Sequence, residues 1–177
     1  MHNSIKKIAA VNGIVGFGKS SLAVTVPIIS AMGIQCCPVP TALFSNHPGF
    51  PQFYKQDLTK ELPDYLDYWK KLDLTFNGIL SGFLSSLEQI EMVKRLITDF
   101  STENTKVIID PVMGDNGRLY SVYTKEMCNA MKDLASYAHI LTPNLTEACI
   151  LSDIPYHEGD WTNEELVEGL FIPESER

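Results

Sequence analysis

Short apolar runs alternate along this chain with longer stretches that repeat every three to four residues. Residues 7–12, 34–39, 42–44, 76–80, 106–109 and 138–141 are rich in Val, Ile, Leu and Ala and have strand length. Between them, residues 20–32, 58–72, 86–100 and 124–137 carry helical periodicity. It is clearest in the third stretch, where Ile90, Val93, Ile97 and Phe100 fall on one face. Gly33 supplies a helix stop, and Ser86, Thr124 and Asn144 stand where caps are needed. Strand–helix alternation of this kind builds a mainly parallel sheet flanked by helices, an α/β fold in three layers. Residues 111–123 are too polar for core and read as a glycine-containing loop. Thr162 is placed to cap a short acidic helix over residues 163–170, after which no further strand follows. The whole chain, 1–177, reads as one domain.

Chemistry gathers at two predicted strand ends. The run 106–109 leads into Asp110-Pro-Val-Met-Gly-Asp115, and the run 138–141 leads into Thr142-Pro-Asn-Leu-Thr-Glu147. In an open parallel sheet the carboxyl ends of the strands face the ligand crevice. Asp110, Asp115, Asn144 and Glu147 are thereby delivered to one place. Crowded carboxylates repel unless a cation lies between them, and Mg²⁺ takes carboxylate oxygens together with substrate phosphates. The local alternatives are plain: Asp and Gly form turns, Asn144 caps a helix, and Glu147 suits its first turn.

Two further features compete for attention. Gly13-Ile-Val-Gly-Phe-Gly-Lys19-Ser20 matches the phosphate-binding pattern G-x-x-x-x-G-K-[ST] letter for letter, between a predicted strand and a predicted helix. Equally, its glycines could serve a tight turn near a small ligand. His47 follows a strand among aromatic and turn residues, which suits either a flat polar ring or an ordinary surface loop.

Composition narrows the classes. Charge is −8, from 14 basic and 22 acidic residues, so no basic stripe exists for nucleic acid or an anionic membrane. Pro and polar residues interrupt every apolar run well short of a membrane span. The start of the chain has no apolar core of a signal peptide. Cys36, Cys37, Cys128 and Cys149 lack metal-ligand spacing and read as small buried hydrophobes in a reducing, cytoplasmic setting.

Four phrases, taken in order, carry a resemblance. Pro40-Thr-Ala-Leu-Phe-Ser-Asn-His47, Gly78-Ile-Leu-Ser-Gly-Phe83, Asp110-Pro-Val-Met-Gly-Asp115 and Thr142-Pro-Asn-Leu-Thr-Glu147 are similar to those of pyridoxal kinases, members of the ribokinase-like superfamily. The likeness runs from about Lys6 to about Ile154. It implies phosphorylation of the 5′-hydroxymethyl of pyridoxal, pyridoxine or pyridoxamine by ATP with Mg²⁺, a K⁺ requirement being open, and a homodimer in the complete protein. It implies that Asn12, Gly13, Phe44, Ser45, His47 and Phe83 bind the vitamer. Asp115, Tyr120, Thr142, Asn144 and Glu147 would lie on the ATP side, with Asp110, Asp115 and Glu147 toward the metal. The resemblance also sets the glycine segment beside the vitamer, leaving the G-x-x-x-x-G-K-[ST] match without a role.

The chain departs from the family at Gly13 and Val15, where relatives offer Asp or Ser, and at Pro48, where Thr is common. A Gly-Thr-Gly-Asp phrase, which in the family supplies an anion hole and the catalytic base, does not occur. No catalytic base is therefore assigned, and an incomplete chain of weak activity is the expectation. Hydroxymethylpyrimidine kinase, a non-catalytic ligand-binding or dimerising remnant and, last, a P-loop NTPase are the alternatives.

Overall fold

The computed structural model of the protein describes residues 5–162, so the helix expected over 163–170 lies outside the described residues. Central strand β1 (Lys7–Phe17) leads through α1 (Leu22–Ala31) to β2 (Gln35–Asn46), then a short β3 (Lys55–Asp57) and α2 (Leu62–Lys71). Next come β4 (Gly78–Ser81), α3 (Leu87–Phe100), β5 (Lys106–Ile109), and a hairpin of β6 (Gly114–Asp115) and β7 (Arg118–Leu119). The order closes with α4 (Lys125–Ala135), β8 (Ile140–Leu141) and α5 (Leu145–Ser152). The main sheet runs β3-β2-β1-β4-β5-β8, parallel except for the β3 edge. From β1 the chain winds first toward β2 and later toward β4, β5 and β8. The order thus reverses between β1 and β4, where ligand crevices form in such sheets.

The core explains this arrangement. Ala9, Val11, Ile79, Val107 and Ile109 point to one face and bury themselves under Leu62 and Leu66 of α2, Ile90, Val93, Leu96 and Phe100 of α3, and Met127, Met131 and Leu134 of α4. Ala10, on the opposite face of β1, is also buried, with α1 against β1 and β2. The side chains of Ser86 and Thr124 cap α3 and α4, accepting from Gln89 N and Met127 N at 3.2 Å each. Among the described residues no helix is long and apolar enough to cross a membrane.

Several boundaries move. The strand expected over 7–12 continues to Phe17, and the two pieces expected at 34–39 and 42–44 form one strand through both prolines. Pro38 and Pro40 fit because β1 and β2 pair in parallel, where alternate N–H groups point away from a given neighbour. The continuation reaches beyond the sheet as a three-stranded arm with β3, packed around Val15, Ala42 and Phe44. The helix expected from residue 20 begins at Leu22, behind Ser21, whose φ is positive at 52°. The loop expected over 111–123 contains the β6–β7 hairpin, turned by Asn116 (φ 49°) and Gly117 (φ 72°). Positive φ at both central residues is the signature of a two-residue hairpin turn.

Candidate functional site

Asp110 follows β5 directly, its N–H held by Ser81 O at 2.9 Å across the adjoining end of β4. Its carboxylate has no hydrogen-bond or ion-pair partner among the described residues, and burial pushes its pKa above the ordinary value. Next to it, the hydroxyl of Ser81 is buried and also without a partner. Buried polar groups are normally satisfied, so a buried unsatisfied hydroxyl beside a half-buried, unengaged carboxylate at adjacent strand ends marks a place built for something else.

Across the β5–β8 boundary the groups are tightly bound to one another. Asn144 and Glu147 form a capping box: Asn144 Oδ1 accepts from Glu147 N at 3.0 Å, and Glu147 Oε2 accepts from Asn144 N at 2.9 Å. The other carboxylate oxygen of Glu147 accepts from Met113 N at 3.1 Å, and Asn144 Nδ2 donates to Gly114 O at 2.8 Å. Thr146 Oγ1 accepts from Gly117 N at 2.9 Å. The first turn of α5 therefore grips the Met113–Gly117 segment and fixes the hairpin. A Cβ at Gly117 would stand 2.5 Å from the Tyr156 ring, which packs on the turn from outside. Burial raises the Glu147 pKa, against the lowering effect of these backbone donors.

Asp110, Asp115 and Glu147 all act electrostatically on the Tyr120 hydroxyl, whose pKa is raised first by burial and then by their charges. The four groups are thus brought together, with Thr142 closing β8 beside them through its N–H to Ile109 O at 3.1 Å. Asp115, Tyr120, Asn116, Arg118, Leu119 and Glu158 line an open cleft of about 450 Å³ along the hairpin.

The metal expectation needs sharpening. Among the described residues no three His, Cys, Asp or Glu side chains form a metal cage. Both oxygens of Glu147 serve backbone donors, and Asp115 is engaged by Asn116 N at 2.8 Å and Asn116 Nδ2 at 3.0 Å. Asp110 alone of the three has a carboxylate unengaged by hydrogen bonds. That donor set suits Mg²⁺, which keeps water and phosphate oxygens and needs only one or two carboxylates.

On the other side of the reversal point, the Asn12 side chain lies over Gly82. A Cβ on Gly82 would come within 2.2 Å of Asn12 Nδ2, while Asn12 Oδ1 accepts from Gly13 N at 2.8 Å. Phe44 is buried, its ring so close to Gly13 that a Cβ there would lie 2.9 Å away. Phe83 is half-buried and meets Tyr123 edge-on at 6.5 Å. Asn12 and Gly13, midway along β1, thus lie beside the end of β4 and Gly82, with the Phe44 ring against Gly13 and Phe83 following Gly82 in the chain.

Ser45 and His47 do not join them. Ser45 alternates to the opposite side of β2 from Phe44 and accepts from Tyr54 N at 2.8 Å. His47 is exposed at the tip of the arm, its Nδ1 accepting from Gly49 N at 3.0 Å in a turn. The letters Gly13–Ser20 do not make a phosphate cradle either. Residues Ile14, Val15 and Phe17 are in register with Leu43, Phe44 and Asn46, and Gly13 and Gly16 let the two strands approach (a Cβ at Gly16 would be 2.9 Å from Ser45 O).

Comparison with known proteins agrees with this fold. The family described as phosphomethylpyrimidine kinase matches residues 29–168. A Schizosaccharomyces pombe protein assigned as a pyridoxal kinase is 29% identical over 165 residues, 89% of this chain and 52% of its own length. A Bacteroides thetaiotaomicron protein assigned as a phosphomethylpyrimidine kinase superposes with TM-score 0.92 at 47% identity, over 96% of this chain and 59% of that one. A second crystal form of it contains pyridoxal. The pyridoxal kinase of Lactobacillus plantarum superposes with TM-score 0.85 at 27% identity, over 94% of this chain and 59% of that one. The chain thus spans between about half and three fifths of the length of these relatives.

Proposed function

Since the chain belongs to the phosphomethylpyrimidine kinase family, we propose that it acts in phosphoryl transfer from ATP to the 5′-hydroxymethyl of a B6 vitamer, pyridoxal, pyridoxine or pyridoxamine. The observation that carries this reading is the pyridoxal in the crystal of the relative that is 47% identical over nearly the whole chain. The division of the crevice supports it. On one side the Asn12 amide lies against Gly82 and the Phe44 ring against Gly13, surface that would suit a flat ring, while on the other Asp110 and Asp115 set their charges on the Tyr120 hydroxyl.

Phosphoryl transfer depends mainly on positioning and on compensating charge spread over the transferred oxygens. Asp110, with Asp115 beside it, would hold Mg²⁺, which supplies that charge when bound with the nucleotide. Tyr120 and the hairpin cleft border the nucleotide side. Asn144 and Glu147 keep the hairpin in place, so the phosphate end is fixed by α5 and not by a mobile loop. Hydroxymethylpyrimidine is the second reading, favoured by the description of the matching family.

A competition experiment separates the two. The chain is incubated with Mg-ATP and equal amounts of pyridoxine and hydroxymethylpyrimidine, and products are resolved by phosphorus NMR. Because no catalytic base is assigned, the chain is used in stoichiometric amount and small conversion is read; pyridoxine 5′-phosphate is the expected product, and phosphate found only on the pyrimidine would overturn the vitamer assignment.

A further inference from the structure

The family resemblance assigns ring-bonding polar groups to positions that here hold Gly13 and Val15, neither of which has a polar side chain. A different polar group stands on the same wall. Phe44 and Lys55 are directly opposed across β2 and β3, as are Ala42 and Asp57, and opposed residues share a face. Phe44, Lys55 and Asp57 therefore look the same way. Lys55 reaches across to the β4–α3 loop that carries Phe83: its Nζ lies 3.5 Å from Ser85 Oγ, 3.4 Å from Asp57 Oδ2 and 6.0 Å from the centre of the Phe44 ring.

The anchor beneath Lys55 is fully engaged. Asp57 Oδ1 accepts from Thr59 N at 2.9 Å and Oδ2 from Ser85 Oγ at 3.4 Å. Ser85 is in turn fixed by the buried Gln89, whose Oε1 accepts from Ser85 N at 2.8 Å and whose Nε2 donates to Thr59 Oγ1 at 2.8 Å and Thr41 O at 3.2 Å. Against this fixed base Lys55 is held loosely. Charge-assisted hydrogen bonds run to about 2.7–2.9 Å, and both of its contacts are much longer. An ammonium has three donors, so Lys55 is free to turn one toward an acceptor in the crevice.

We propose that Lys55 is the specificity-determining residue of the ring site, donating to the acidic ring hydroxyl of a 3-hydroxypyridine and so favouring that ring over an aminopyrimidine. This rests on the reading of the crevice as an alcohol-kinase ring site. Overlaid on the reacting hydroxymethyl, an aminopyrimidine presents a bare ring nitrogen where the hydroxypyridine presents its oxygen, so the acceptor is set back into the ring and an ammonium placed to meet the oxygen does not reach it.

The test is equilibrium titration of the full chain with pyridoxine and with 3-deoxypyridoxine, which lacks only the ring hydroxyl, in wild type, Lys55→Met and Lys55→Arg. Pyridoxine carries no aldehyde, so imine formation with lysines does not intrude. Wild type should prefer pyridoxine by about tenfold, the range of one charge-assisted hydrogen bond. Lys55→Met should erase that preference without changing 3-deoxypyridoxine binding, and Lys55→Arg should keep most of it. Equal weakening of both ligands, or an intact preference in Lys55→Met, overturns the assignment while leaving the kinase reading in place. If wild type binds hydroxymethylpyrimidine but not pyridoxine, the underlying reading fails and the assignment with it.

Discussion

Replacing Glu147 by Ala probes whether α5 holds the phosphate end of the site. The substitution strips an acceptor from Met113 N and another from Asn144 N. Met113 is fully buried, so its N–H cannot turn to water; Asn144 is exposed, so its loss is smaller. An unsatisfied buried donor costs about 1–3 kcal/mol and a lost cap about 1 kcal/mol. Relief of the buried carboxylate offsets part of this, leaving a net destabilisation of about 2–3 kcal/mol. For a domain of this size that lowers Tm by about 4–12 °C, readable by circular dichroism. Glu147→Gln keeps one acceptor but sets its amide N–H against the other donor, and should lose about half as much. The pH dependence gives a second readout. A carboxyl whose folded pKa is raised favours the folded state most below its unfolded value, and that contribution fades as pH climbs through the folded value. The margin of wild type over Glu147→Ala should therefore be widest in acid and shrink toward neutral pH. A Tm within about 2 °C of wild type, or a margin that grows with pH, would refute this account of Glu147.

Asp115→Asn should weaken Mg-nucleotide binding by about tenfold or more, the scale seen when groups around a bound metal are altered, whereas Lys19→Ala should leave it unchanged; a fluorescent ATP analogue reads both. Gly117→Ala should destabilise by more than about 1 kcal/mol in urea unfolding, because Ala is strained at φ 72° and its Cβ would meet the Tyr156 ring. Asp110→Asn should raise the Tm of the ligand-free chain at neutral pH and flatten its decline as pH rises above the ordinary carboxylate range, since the raised carboxyl of Asp110 costs stability as it ionises; the same variant should bind Mg-nucleotide poorly.

The sheet was legible because its central strands are uninterrupted apolar runs whose helices carry their own caps. Ser86, Thr124 and Asn144 stand in the sequence where the structure uses them. The hairpin was equally legible in principle: Asn116-Gly117 is a strong two-residue turn signal, hidden because the strands on either side are only two residues long and polar. The extent of β1 was not. Its glycines spell a phosphate loop by pattern, and only the pairing with β2 reveals that they admit a neighbouring backbone and the Phe44 ring. For the same reason the roles of Ser45 and His47 could not be read, since facing depends on where β2 begins and how far it runs. Lys55 and Asp57 carried no local signal at all; their meaning comes from a three-residue edge strand that sets them opposite Phe44 and Ala42.

The most direct measurement is calorimetric titration of the chain with pyridoxine and, separately, hydroxymethylpyrimidine, each in the presence of Mg²⁺ and a non-transferable ATP analogue. The account predicts that pyridoxine binds more tightly than the pyrimidine, and that Asp115→Asn but not Lys19→Ala weakens nucleotide binding by about tenfold or more. Tighter binding of the pyrimidine, or nucleotide binding that disappears with Lys19 and survives the loss of Asp115, would contradict it.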